Sequence, residues 1–216
     1  MANRYIDITV PLDPGVLVWS GDEPVVFEHF TGMHDGAPYR VTRLHIGSHT
    51  GTHVGAPHHF GASGTTVNVL SPAALIGPAE VHDFRGVQAI NTREMENRDV
   101  GELPRVLIRT DNSGWIRRGP MPDLPSYLTE NAAAYLIGKA VSLVGFDGIS
   151  IDHPEKAGAH LLLLRAGVII VECLDLSSVS AGRYELICLP LRIAEGDGAP
   201  ARALLRRGEY TSLASG

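Results

Sequence analysis

"PEKAGAHLLLLRAGVIIVECLDL", residues Pro154 to Leu176, decides the fold class. Its first half carries helix-forming residues behind a proline and stops at Gly167, a residue suited to the left-handed turn that ends a helix. The second half, "VIIVECLDL", is an apolar run rich in β-branched residues, as expected of a central strand. A helix feeding straight into a buried strand points to a layered α/β core.

The neighbouring segments extend that pattern. "VSLVGFDG" from Val141 and "RVLIRT" from Arg105 read as further buried strands, "GPAEVHDF" from Gly77 and "YELICLPLRI" from Tyr184 as others. "LPSYLTENAAAYLIGKA" from Leu124 reads as a helix with Thr129 at its cap. "YIDITVPL" from Tyr5 alternates apolar and polar as a strand does, and "APARALLRR" from Ala199 is the last element. The expected fold is α/β, a single compact domain over residues 1–216 with a mixed sheet. The breaker-rich stretch Asp111 to Pro125 is expected to be an excursion loop, serving as a lid or a subunit contact.

Composition narrows the function classes. The chain has 216 residues, 44% hydrophobic and 19% charged, enough for one sizeable core. Net charge is −6 and no Lys/Arg run occurs, which argues against a nucleic-acid partner. No segment reads as a signal peptide or a membrane span, so a cytoplasmic location and no membrane partner are expected. Cys173 and Cys188 are too few for a disulfide framework and are expected to be buried thiols.

The chemistry concentrates in "SHTGTHVGAPHHF", Ser48 to Phe60. Single histidines such as His29, His34 and His82 are ordinarily surface or hydrogen-bonded core residues. Five histidines between His45 and His59 call for more. His49 and His53 are four apart, but glycines, threonines and a proline make this a poor helix. In an extended chain their Cα atoms would lie roughly 13 Å apart. Both rings reach one point only if the backbone bends, and Gly51 has the freedom to do so, with Thr50 and Thr52 bracing the turn. Spacing alone leaves metal binding and acid–base catalysis both open.

Glu172 stands out for another reason. A carboxylate inside "VIIVECLDL" is costly to bury unless it is paired, hydrogen-bonded or coordinated. A salt bridge to Arg165 or Arg192 is the simpler account. No Gly-x-Ser-x-Gly elbow is present, and Cys173 beside Glu172 is a poor place for a thiolate.

The histidine stretch resembles the signature His-x-Gly-Thr-His-x-Asp-x-Pro-x-His of the bacterial kynurenine formamidase or cyclase family, which includes isatin hydrolase. His49, Gly51, Thr52, His53, Pro57 and His59 match it. "YIDITVPLDPGVLVWSGDEP", "VLIRT", "VGFDGISID", "AHLLLLRAGVIIVECLDLS" and "YELICLPLRIAEGDGAPARALL" are similar to the family's other blocks, in order. The resemblance implies a cyclase-type α/β fold, a homodimer or tetramer, and hydrolysis of amides or lactams with one or two divalent cations. It implies metal ligands at His49, His53, His160 and Glu172, a proton carrier at His59 and a substrate contact at Trp19. Phe27, nearby, is better explained by core packing.

Gly55 is the departure, because the family has an aspartate there. Without a bridging anion, two cations would repel at roughly 4 Å, so a dinuclear site is not expected. Three outcomes follow. One cation persists on His49, His53, His160 and Glu172, zinc suiting those donors better than manganese. Or another residue, His58 or Asp152, takes over the missing role, with His58 near the substrate. Or no cation binds, and His59 with Glu172 perform acid–base chemistry. The first outcome means a small-molecule C–N hydrolase. The last means a cyclase or dehydratase of a natural-product pathway, and a degenerate binding protein is a more distant third reading.

Overall fold

The computed structural model describes residues 5–31, 36, 38–61, 64–117 and 119–207; His34 lies outside these. In chain order the strands are β1 (Tyr5–Asp7), β2 (Val26–Thr31), β3 (Val41–His45), β4 (His53–Gly55), β5 (Ile76–Asp83), β6 (Ala89–Ile90), β7 (Arg105–Arg109), β8 (Tyr127–Leu128), β9 (Leu143–Phe146), β10 (Ile169–Glu172), β11 (Gly182–Pro190) and β12 (Gly198–Arg206). The helices are α1 (Pro72–Leu75), α2 (Thr92–Glu96), α3 (Glu130–Gly138) and α4 (Gly158–Arg165).

The main sheet runs β1-β12-β11-β5-β7-β9-β10-β4, and β4 pairs again with β12. That second pairing closes seven strands into a barrel, with β1 hanging on β12. β5, β7, β9 and β10 are mutually parallel, while β4, β11 and β12 join antiparallel. The mixed α/β architecture expected from the sequence is therefore present. Closure leaves no free edge along the seven strands.

Strand alternation sorts the core into two sets. Leu107, Leu143, Val171, Leu186, Ala203 and Val54 fill the barrel. Their sequence neighbours Val106, Ile108, Val144, Phe146 and Ile170 point the other way, onto Leu136 of α3 and Leu163 of α4. Residues two apart share a face, so Glu172 follows Ile170 to the outer side. His53 and Gly55 flank the inward Val54 and face outward as well. The strand pattern thus brings the two chemically unusual residues to one surface of the barrel.

Several elements differ in detail from expectation. Thr129 precedes α3, but its hydroxyl donates to the Ile90 carbonyl and to Asn131 Oδ1 instead of accepting from the helix. The start of the Asp111 to Pro125 stretch is anchored: Asn112 and Ser113 are buried, and Ser113 donates to Asp147. "APARALLRR" is β12, one of the two long strands of the barrel. Both cysteines are free and buried, as expected.

Candidate active site

Gly51 makes the bend that the histidine spacing demands, with φ at +60°. His49 and His53 then sit with ring centres 4.8 Å apart, far closer than an extended chain would allow. Thr52 fixes this turn at its centre: its hydroxyl donates to the Cys173 carbonyl at 2.5 Å and accepts from the Val10 N–H at 2.8 Å. Thr50 accepts from the Gly47 N–H at 3.0 Å. The bracing roles expected of both threonines are seen.

β4 then carries His53 between two strands. Across the β10–β4 pair His53 stands opposite Glu172, and across β12–β4 it stands opposite Pro200. Directly opposed residues on one face approach closely, so register alone sets imidazole against carboxylate. β10 ends there because Cys173 adopts a left-handed conformation, φ +55°. Such a backbone is unfavourable for a non-glycine residue and is held by the hydrogen bonds to Gly148 and Thr52.

The inner half of the site is a buried chain of alternating acids and imidazoles. Asp152 accepts from His160 Nδ1 at 2.6 Å and from the N–H groups of Ala159 and His160, capping the start of α4. His160 Nε2 lies 3.2 Å from Glu172 Oε1, and His53 Nε2 lies 3.3 Å from Glu172 Oε2. Glu172 also accepts from the Ile151 N–H at 2.6 Å. The partners of Glu172 are thus two histidines, and the arginine pairing that offered a simpler account is not among them. Burial opposes the charge on each group, but the pairing prevails. Glu172 and Asp152 raise the His160 pKa to about 10, and His160 with His53 holds Glu172 far below the usual carboxylate range.

His53 gives the sharpest clue to what the site holds. Its Nδ1 faces the Gly51 carbonyl at 2.8 Å, an acceptor only, so this nitrogen carries the hydrogen. Its Nε2 is buried, has no hydrogen-bond partner among the described residues, and lies 3.3 Å from Glu172 Oε2. A proton on Nε2, or a cation held between the two atoms, satisfies this pair. The donor chemistry, imidazole nitrogen and carboxylate oxygen with a second carboxylate behind His160, suits a divalent cation such as zinc.

The outer half contains a residue absent from the sequence-based ligand set. Asp197 Oδ2 lies 2.9 Å from His49 Nε2 and 3.2 Å from His59 Nδ1. Donor atoms of His49, His59 and Asp197 all fall within 4.8 Å of one another, a spacing fit for one metal ion. Burial, with the nearby His53 and His59, lowers the His49 pKa to about 4, which leaves the ring neutral and able to coordinate. Burial works the other way on Asp197, but its bonds to His49 and His59 prevail and hold it at about 2.

All of the expected ligands, His49, His53, His160 and Glu172, line one cavity of about 920 Å³ together with His59, Asp197 and Trp19. Trp19 is half-exposed at the rim beside Pro24 and Leu44. His58 is not among the lining residues, and its Nδ1 is buried without a partner among the described residues. Asp152, the other residue weighed as a replacement for the missing aspartate, is engaged behind His160. Sequence reasoning passed over Asp197 because it sits in a glycine-flanked turn, 138 residues from His59.

The family model described as "Putative cyclase" matches residues 6–153, more than half of the chain. The chain belongs to this cyclase family. The kynurenine formamidase of Bacillus mycoides (strain KBAB4) is 34% identical over 206 residues, covering 94% of this chain and 98% of that protein. A solved structure described as a potential metal-dependent hydrolase with cyclase activity superposes with a TM-score of 0.82 at 30% identity, over 95% of this chain and 98% of the other. Isatin hydrolase A from Labrenzia aggregata, bound to benzyl benzoate, gives a TM-score of 0.81 at 27% identity, over 95% and 94% of the two chains. The cyclase fold inferred from the histidine stretch is confirmed by these likenesses.

Proposed function

We propose that this cyclase-family protein is a metal-dependent hydrolase of a small non-peptide amide, adding water across the C–N bond of a formamide or lactam to give an acid and an amine. The observation that carries this reading is the convergence of ligand atoms on one cavity: those of His49, His59 and Asp197 lie within 4.8 Å of one another, and buried His53 Nε2 lies 3.3 Å from Glu172 beside them. The relatives fit the same reading: one is named a kynurenine formamidase and another an isatin hydrolase.

His49, His53, His160 and Glu172 are the residues that would hold the cation, and zinc suits their nitrogen-rich set better than manganese. Once bound, a divalent cation supplies a water-derived nucleophile at neutral pH and polarises the scissile carbonyl. The protein's own groups do the rest. Asp152 fixes the His160 ring through Nδ1 and so keeps Nε2 turned to the site. His59, held through Nδ1 by Asp197, carries a proton to the leaving nitrogen on its other ring nitrogen. Trp19 and Phe60 offer the cavity's aromatic surfaces to a planar substrate. A homodimer or tetramer is the assembly this reading carries, and sedimentation analysis checks it.

The test is hydrolysis of N-formylkynurenine and of isatin by metal-replete protein. Turnover of either substrate that stops on chelation and returns with zinc or manganese supports the reading. Failure of zinc- and manganese-loaded protein to open any formamide or lactam would overturn it.

A further inference from the structure

Gly55 takes the place of the family's motif aspartate, yet the site does not lack a carboxylate. Across the β12–β4 ladder Gly55 stands opposite Gly198, and the residue before Gly198 is Asp197. The Asp197 carbonyl accepts from the Ala56 N–H at 2.9 Å, which ties its backbone to the chain just beyond Gly55. Its carboxylate turns back over the sheet to His49 and His59. His49 itself lies close against Gly198: a Cβ there would stand 2.8 Å from the ring's Cε1, 2.9 Å from Nε2 and 2.8 Å from the Val54 carbonyl. The approach of His49 to Asp197 thus depends on a second glycine.

We infer that Asp197 is a second carboxylate ligand of the cation beside Glu172, reaching the site from the neighbouring strand in place of the side chain missing at position 55. This rests on the metal-dependent reading above and deepens it. Two observations carry it independently of each other. The donor atoms of His49, His59 and Asp197 converge within 4.8 Å. The buried, unpartnered Nε2 of His53 faces the same cavity, and the His53 ring packs edge-on against His49. Position 55 also retains room: a Cβ built there meets nothing closer than 3.8 Å, from His49 Cε1 and the Ile170 carbonyl. A carboxylate placed at 55 therefore has space to take the role back.

That reciprocity provides the test. Cobalt(II) and zinc(II) binding is measured by calorimetry and by metal content for the wild type, Asp197→Ala, Asp197→Asn and the double variant Gly55→Asp/Asp197→Ala, with circular dichroism to establish folding. The wild type is expected to take up cation, and both single variants to lose affinity by about 100-fold or more, with weakened visible absorption of the cobalt form. The double variant is expected to regain most of that loss. Asp197→Asn keeps a carbonyl acceptor for the His49 ring, so wild-type affinity in this variant would mean that Asp197 only positions His49, and would overturn the inference. A double variant no better than Asp197→Ala would overturn it as well. If the wild type itself bound no cation, the metal reading would fall first and this inference with it.

Discussion

At the residue scale, the site is governed by the position of protons and lone pairs. Glu172 is nearly fully buried between two imidazoles and a backbone N–H, so its charge is matched only by what His53 and His160 present to it. Glu172→Gln removes one partner of a buried charged pair, which costs on the order of 3–5 kcal/mol. Urea denaturation of metal-free protein should register that loss, and an unchanged midpoint would mean the pairing contributes nothing. Asp152→Asn keeps the side-chain shape but weakens the hold on His160 Nδ1, and zinc affinity is expected to fall by about 10- to 100-fold. Competition against a chromogenic chelator measures it. The cysteines give a contrasting prediction. Burial pushes Cys188 up to about 12, and burial together with Glu172 raises Cys173 well above the ordinary thiol range. Neither thiol should react with an aromatic disulfide reagent at pH 8 in the native protein, and both should react after denaturation. A fast-reacting thiol in the folded state would contradict this account of Cys173.

At the scale of elements, Gly145 and Gly198 show how tightly side-chain placement is set by strand approach. A Cβ on Gly145 would sit 2.2 Å from Leu107 and 2.8 Å from Leu174, both inside the barrel. Gly145→Ala should therefore destabilise the fold by about 1–3 kcal/mol through overpacking. Gly198→Ala meets the Val54 carbonyl of the neighbouring strand as well as the His49 ring, so it should lower stability and cation affinity together, whereas Gly145→Ala lowers stability alone. Thermal unfolding and metal titration on the two variants separate these effects, and equal effects on both would undo the distinction. The same elements show what the sequence discloses. β5, β7, β9 and β10 were legible because their apolar runs are long and local. Glu172 was legible because a carboxylate in such a run needs an explanation. The pairing of β4 with β12 was not legible: it joins a three-residue strand to one some 145 positions away, and neither carries a local signal of the other. Asp197 was hidden for the same reason, since its role exists only once that pairing is made. His58 and Asp152 were closer in sequence to the motif, but proximity along the chain does not decide which side chain reaches across a ladder.

At the scale of the whole molecule, the candidate site lies where the barrel closes. His53 belongs to β4, Glu172 ends β10, His160 opens α4 and Asp197 precedes β12, so a cation bound among them ties the closing strands to the helix layer. β4, with three residues, is the shortest strand of the barrel wall, and Val54 is its main inward anchor. Binding to the folded state alone stabilises it by about 2.7 kcal/mol when free ligand is 100 times Kd. For a chain of this size that corresponds to roughly 5–10 °C in Tm, at about 2–4 °C per kcal/mol. Zinc is therefore expected to raise Tm by that amount in the wild type, and chelator to reverse it. His53→Ala should remove the shift, because one of the imidazoles that would hold the cation is gone. Gly145→Ala should start from a lower Tm yet show the same rise, since its defect lies inside the barrel and not at the seam. Hydrogen exchange locates the effect: protection gained on metal binding should concentrate in residues 53–56, 169–173 and 197–201. Gain spread evenly over the barrel, or confined to the α3 face, would mean that the cation does not clamp the closing strands.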